Sequence, residues 1–157
     1  MTMNTMLNPL FFLATFAFME FMAWFTHKYV MHGFLWKLHK DHHVPTPGFF
    51  EMNDAFFLIF AAPSMVLIYL GINYEIWPAF SAGLGIMCYG AAYFLVHDVI
   101  IHQRFKWFTR SRNLYVVAVR RAHKAHHKRT GKEDGICFGM LVVPRRYFAE
   151  ARNLLNA

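Results

Sequence analysis

The chain has 157 residues, 57% of them hydrophobic and only 16% charged, with 18 Phe and 10 Met. Its length argues for one domain over 1–157, and its greasiness excludes an ordinary soluble globule. The net charge is +7 with every Lys and Arg in two stretches of the chain, a pattern that calls for no nucleic-acid partner.

In chain order, residues 7–25 are apolar except for Asn8, Thr15 and Glu20, and residues 55–72 and 77–96 carry no charge at all. Each run has the ~18–20 residues that cross a ~30 Å hydrocarbon layer as a helix. Three such runs leave too little polar sequence to cover them in water. The expected fold is therefore an all-α integral membrane protein with three transmembrane helices, a fourth embedded segment around 114–119 or 136–143 being left open. Pro63 is tolerable inside the second span, because neighbouring helices can satisfy the carbonyl it frees.

All 16 Lys and Arg lie in 27–54 or 97–157. An odd number of spans puts these regions on one side, and the positive-inside rule makes it the cytoplasmic side. The N-terminus is then outside, at the bacterial inner membrane; it lacks the basic n-region of a cleaved signal, so the first span is expected to be retained. Asn73, Tyr74 and Glu75 form a short outside turn. Pro45, Thr46, Pro47 and Gly48 are expected to end the helix before them. Cys88 and Cys137 are too few and too scattered for a disulfide framework or a thiolate metal site.

The ten histidines fall into four boxes: "HKYVMH" (His27, His32), "HKDHH" (His39, His42, His43), "HDVIIH" (His97, His102) and "HKAHH" (His123, His126, His127). After the first span, and again after the third, H-x-x-x-x-H precedes H-x-x-H-H. On a helix the three histidines of H-x-x-H-H share a face. H-x-x-x-x-H puts its two rings ~140° apart on a straight α-helix, so the site demands a π-bulge or a helix end there. Four boxes holding every histidine, all on one side, point to metal ligands rather than a basic surface.

Ten imidazoles exceed one structural zinc site and suit two ions with four to five ligands each. Imidazole accepts Fe, Zn, Cu and Ni alike, and zinc or another metal can occupy such a site in a purified sample. Location favours redox iron: an apolar substrate reaches the site from the bilayer, where dioxygen also dissolves. The chemistry expected is oxidation of a lipid-like C–H bond. Asp98 and Asp54 are candidates to orient ligand imidazoles from behind. Asn53 would either do the same or cap the second span. Asp41 should point off the ligand face into solvent. Glu20 is the costliest placement in the chain, either functional or paired with a basic group.

These boxes, with "HKYVMHG" (27–33), "NDAF" (53–56), "IYLG" (68–71), "FLVHDVIIHQR" (94–104) and "GKEDGICFG" (131–139), resemble the membrane fatty acid hydroxylase superfamily of histidine-rich di-iron enzymes. The boxes alone indicate the superfamily. Their separations and the small size narrow the resemblance to the carotenoid hydroxylases of bacteria, with all ten histidines present.

The resemblance implies a non-haem di-iron monooxygenase that hydroxylates the β-ionone rings of β-carotene at the 3-position, giving β-cryptoxanthin and then zeaxanthin. One atom of dioxygen enters the substrate and the other leaves as water, which consumes two electrons. The chain has no dinucleotide, flavin or haem-attachment motif. A separate ferredoxin with an NAD(P)H-dependent reductase is the implied donor. The basic stretch 104–129 would dock it, or else is positive-inside bias flanking an interfacial anchor of Phe105, Trp107 and Phe108. The same site is also compatible with a carotenoid ketolase, or with a fatty acyl or sterol hydroxylase or desaturase. A metal transporter or bis-His haem protein would instead need histidines near the bilayer midplane. Nothing in the sequence specifies how chains associate.

Overall fold

The computed structural model describes residues 7–44 and 47–157, and among them all regular structure is helical. Helix α1 (Pro9–Phe25) opens on an Asn8 cap whose Oδ1 accepts from Leu10 N and Phe11 N, with Pro9 in the first turn where its missing N–H is harmless. It runs into a π-helical segment, Thr26–Phe34, kinked near its end by the non-helical backbone of Gly33, before α2 (Trp36–His43). A 3₁₀ turn (Met52–Asp54) starts α3 (Ala55–Asn73), which continues through Pro63. Helix α4 (Trp77–Phe94) likewise widens into a π-helical segment, Leu95–Ile101. Helix α5 (Leu114–His127) is capped by Asn113, and α6 (Arg145–Asn156) ends the chain. Of the expected stop signal at 45–48, Pro45 and Thr46 lie outside the described residues; α2 ends at His43.

Among the described residues, three helices are long and apolar enough to cross a membrane: Pro9–Phe34, Met52–Asn73 and Trp77–Ile101. The first and third are longer than the hydrophobic runs because the π segments carry the helices on through the H-x-x-x-x-H boxes. Their large side chains face outwards, with Leu10, Leu13, Phe57, Leu58 and Met65 each more than 60% exposed. That inverts the soluble pattern and suits a lipid solvent.

Without a hydrophobic drive between helices in lipid, the spans meet through small residues. Ser64 Oγ donates to Gly83 O at 2.8 Å, and Gly85 lies against the backbone of Phe12 and Phe16. A Cβ on Gly83 would sit 2.9 Å from both Ile68 N and Ser64 O, atoms that cannot swing away. Gly83→Ala should therefore force α3 and α4 apart and destabilise the fold by about 1–3 kcal/mol, read as a lower unfolding midpoint in detergent.

At the end of the third span, Val96, Ile100, Val116, Val119, Ala122, Met140 and Tyr147 form a separate apolar core joining the second π segment, α5, the 128–143 strap and α6. Arg121 pairs with Glu150 to fasten α6 to α5. The two basic regions meet at one end of the bundle, where His43 Nδ1 reaches Arg129 O and Arg104 reaches Asp54.

Candidate metal centre

The π segments resolve the spacing problem of the H-x-x-x-x-H boxes. A π turn bonds residue i to i+5, so histidines five apart become neighbours one turn apart. His102 N donates to His97 O at 2.9 Å, one box member to the other, and Leu35 N closes the first segment on Val30 O at 3.0 Å. The rings of His27 and His32 come within 5.3 Å, centroid to centroid, and those of His97 and His102 within 4.5 Å.

Nine of the ten histidines gather into two adjoining groups. One is His27, His32, His39, His43 and His126; the other is His42, His97, His102 and His123. Within each group the ligand atoms lie within 4.8 Å of one another. Each H-x-x-H-H serves both groups, because i+4 falls about 40° to one side of i and i+3 about 60° to the other. His39 and His43 turn one way and His42 the other; in the second box His123 turns to one group and His126 to the other.

The tenth histidine, His127, belongs to neither group. Its ring stacks on His43 at 4.6 Å and packs against His42, His102 and His123, and its Nε2 is buried with no hydrogen-bond partner.

The hydrogen bonds behind the rings fix which nitrogen faces inwards. His27, His32, His43 and His126 each donate Nδ1–H to a carbonyl, of Phe138, Lys132, Arg129 and Ile136 respectively, at 2.8–3.1 Å. His39 donates to Asn53 Oδ1 at 2.7 Å, His42 to Glu51 Oε2 at 2.8 Å and His97 to Asp98 Oδ2 at 3.2 Å. A carbonyl or carboxylate oxygen only accepts, so each Nε2 presents a lone pair.

Yet those Nε2 atoms face each other at 3.0–3.2 Å, in the pairs 27–39, 32–43, 39–43, 43–126 and 42–97. Such lone pairs repel unless a cation lies among them. Nitrogens bound ~2.1 Å from one ion sit roughly 3.0–3.4 Å apart, so the donor set fits a metal in each group.

Protons do not relieve that repulsion. Burial, reinforced by His43 and its other histidine neighbours and opposed by the Asn53 bond, pushes His39 down to about 3. Burial takes His43 to about 4 and His126 to about 2, and holds His42, His102 and His123 well below the usual range. The indole of Trp36 walls the first group, 5.1 Å from His32 and 5.4 Å from His43, and the Phe138 ring packs on His27, His32 and His126. Tyr93 packs on His97 at 5.0 Å.

Several sequence expectations change here. Asp98 and Asn53 do contact histidines. Asp54 does not: it accepts from Glu51 N in a reciprocal cap of the 3₁₀ turn and pairs with Arg104. The carboxylate behind His42 is Glu51. Asp41 is half-buried rather than solvated, its Oδ2 accepting from Met52 N. Among the described residues Glu20 pairs with no basic group; its partners are Tyr89 OH and three backbone N–H groups.

The basic stretch is partly spent inside the fold. Arg104 bridges Glu51, Asp54 and Asp98, and Arg120 donates to Ile100 O and Phe108 O. The strap carbonyls could not have been found from residue type; the "GKEDGICFG" string marked their segment without revealing a role.

Taken together, these features describe a helical membrane protein with a paired polyhistidine centre at the mouth of its spans. The chain belongs to the Fatty acid hydroxylase family, whose profile matches residues 12–144. It is 42% identical over 137 residues to the beta-carotene hydroxylase of Pantoea ananas, covering 87% of this chain and 78% of the relative. It is 39% identical over 136 residues to that of Pseudescherichia vulneris, covering 87% and 77%. Beta-carotene 3-hydroxylase 2, chloroplastic, of Arabidopsis thaliana is 39% identical over 130 residues, which are 81% of this chain and 42% of that longer protein. No solved structure matches.

Proposed function

We propose that this chain is a β-carotene hydroxylase that installs hydroxyls at the 3-positions of the β-ionone rings, through β-cryptoxanthin to zeaxanthin. The observation that carries the reading is the pair of converging lone-pair sets, each sized for one metal ion, in a relative of bacterial beta-carotene hydroxylases.

In this reading His27, His32, His39, His43 and His126 hold one iron, and His42, His97, His102 and His123 the other. His127, whose buried Nε2 has no hydrogen-bond partner, would complete the second set. When bound, the iron pair supplies the redox chemistry that splits dioxygen, one atom entering the C–H bond and the other leaving as water. The protein's own part is to keep each imidazole neutral and aimed through its Nδ1–H bond, and to exclude water with Trp36 and Phe138. The substrate would reach the centre along the bilayer, from which the spans deliver their π segments.

Each hydroxylation consumes two electrons and two protons, and an external ferredoxin-type donor with its NAD(P)H-dependent reductase would provide the electrons. Lys124 and Lys128 are exposed on and just after the helix that carries His123 and His126, and with the exposed Lys106 and Arg110 would offer an acidic donor a landing surface. The charge distribution supports a metal centre on the cytoplasmic face with the N-terminus outside.

Expression in a carotene-accumulating bacterium should convert β-carotene to zeaxanthin, with β-cryptoxanthin as a transient. Unchanged β-carotene beside protein carrying two irons per chain would overturn the assignment, and ketone products would move it to a carotenoid ketolase.

A further inference from the structure

Glu20 lies seven residues before His27, inside the first span, and among the described residues it hydrogen-bonds to no histidine. A carboxylate at that depth is expensive unless satisfied, and it is satisfied by an unusual set of partners. Oε1 accepts from Met140 N at 3.0 Å, Leu141 N at 3.1 Å and Val142 N at 3.1 Å. Oε2 accepts from Leu141 N at 3.0 Å and from Tyr89 OH, on α4, at 2.7 Å. Three consecutive amides thus converge on one carboxylate, an anion-binding arrangement with the anion supplied by the protein itself.

Those amides end the irregular strap 128–143, the segment whose carbonyls at Arg129, Lys132, Ile136 and Phe138 accept the Nδ1–H bonds of four of the five first-group histidines. No helix holds the strap between α5 and α6. Gly135 lets it lie close: a Cβ there would sit 2.5 Å from the Phe138 ring and 3.6 Å from His32 Nδ1. Among the described residues no strap carbonyl accepts from the second group; Glu51 and Asp98, from other segments, hold His42 and His97.

We propose that Glu20 is a positioning residue for the first metal set: it anchors the strap, and the strap's carbonyls fix the tautomer and aim of His27, His32, His43 and His126. The proposal rests on reading the histidine groups as metal sites, and its test separates the two.

Metal-stripped full-length protein in detergent is titrated with Co(II), following ligand-field absorption and bound equivalents. Wild type should take two. Glu20→Gln keeps the shape but turns an NH₂ towards amide donors, and should weaken one equivalent by about 10–100-fold while leaving the other unchanged. The spectrum of the remaining ion should match that of His126→Ala, not that of His123→Ala. Tyr89→Phe, which leaves the three amide contacts intact, should shift the same equivalent in the same direction but less. It carries the test alone if Glu20→Gln does not fold, an unchanged Tyr89→Phe then counting against the anchor. Wild-type binding of both equivalents in Glu20→Gln, or equal weakening of both, would overturn the role assigned to Glu20. Failure of the wild type to bind two equivalents would overturn the metal-centre reading itself.

Discussion

Alanine at His126 should remove one metal ion from the protein and alanine at His123 the other, although the two residues belong to one pentapeptide. His126 Nε2 lies 3.1 Å from His43 Nε2 in the first group, while His123 Nε2 lies 2.9 Å from His102 Nε2 in the second. Each variant should purify with about one ion in place of two, and the residual ions should differ in their Co(II) spectra. Hydroxylated product should fall in both by at least about 100-fold, the upper end of what losing even a ligand's hydrogen-bond partner does. Elemental analysis and pigment chromatography read the two effects. If both variants kept the same ion, H-x-x-H-H would be feeding one site, and the angular split between its i+3 and i+4 positions would not govern the centre.

Replacing Arg104 by glutamine should loosen the second group and leave the first intact. Its guanidinium lies 2.9 Å from Asp54 Oδ1, 3.3 Å from Glu51 Oε2 and 3.2 Å from Asp98 Oδ1, with a side chain only 16% exposed. Two of those carboxylates hold the Nδ1–H of His42 and His97. Burial raises the Glu51 carboxyl and Arg104 pulls it back, so without the guanidinium three close carboxylates repel and Glu51 ionises less readily.

A stability loss of about 2–3 kcal/mol is expected, below the range for a fully buried pair because the cluster's edge is solvated. The second ion should bind about 10–100-fold more weakly. Denaturant titration in detergent and Co(II) titration check the two figures. Equal weakening of both ions would show that Arg104 supports the fold alone.

Some of this was written in the order of residues. Three charge-free or nearly charge-free runs require lipid around them, and an odd number of spans returns the basic regions 27–54 and 97–157 to one side. Four boxes containing every histidine require a centre where those regions meet. The five-residue spacing of His27–His32 and His97–His102 even demanded a departure from α-helical geometry, and both π segments supply it.

What tertiary structure alone decided is the division of labour. The i, i+3, i+4 pattern puts three rings on one face, but only the meeting of α2 with α5 determines that one pentapeptide gives two rings to the first group and the other gives it one. The first group's aim depends on backbone carbonyls of the 128–143 strap, and every residue type carries the same carbonyl, so no letter announces it. Asp54 and Glu51 stand three residues apart, and their order in the chain does not say which one meets a histidine. A capping turn sent Asp54 to Arg104 and Glu51 to His42, because local hydrogen bonding of the chain settles where a short carboxylate points before any metal can claim it.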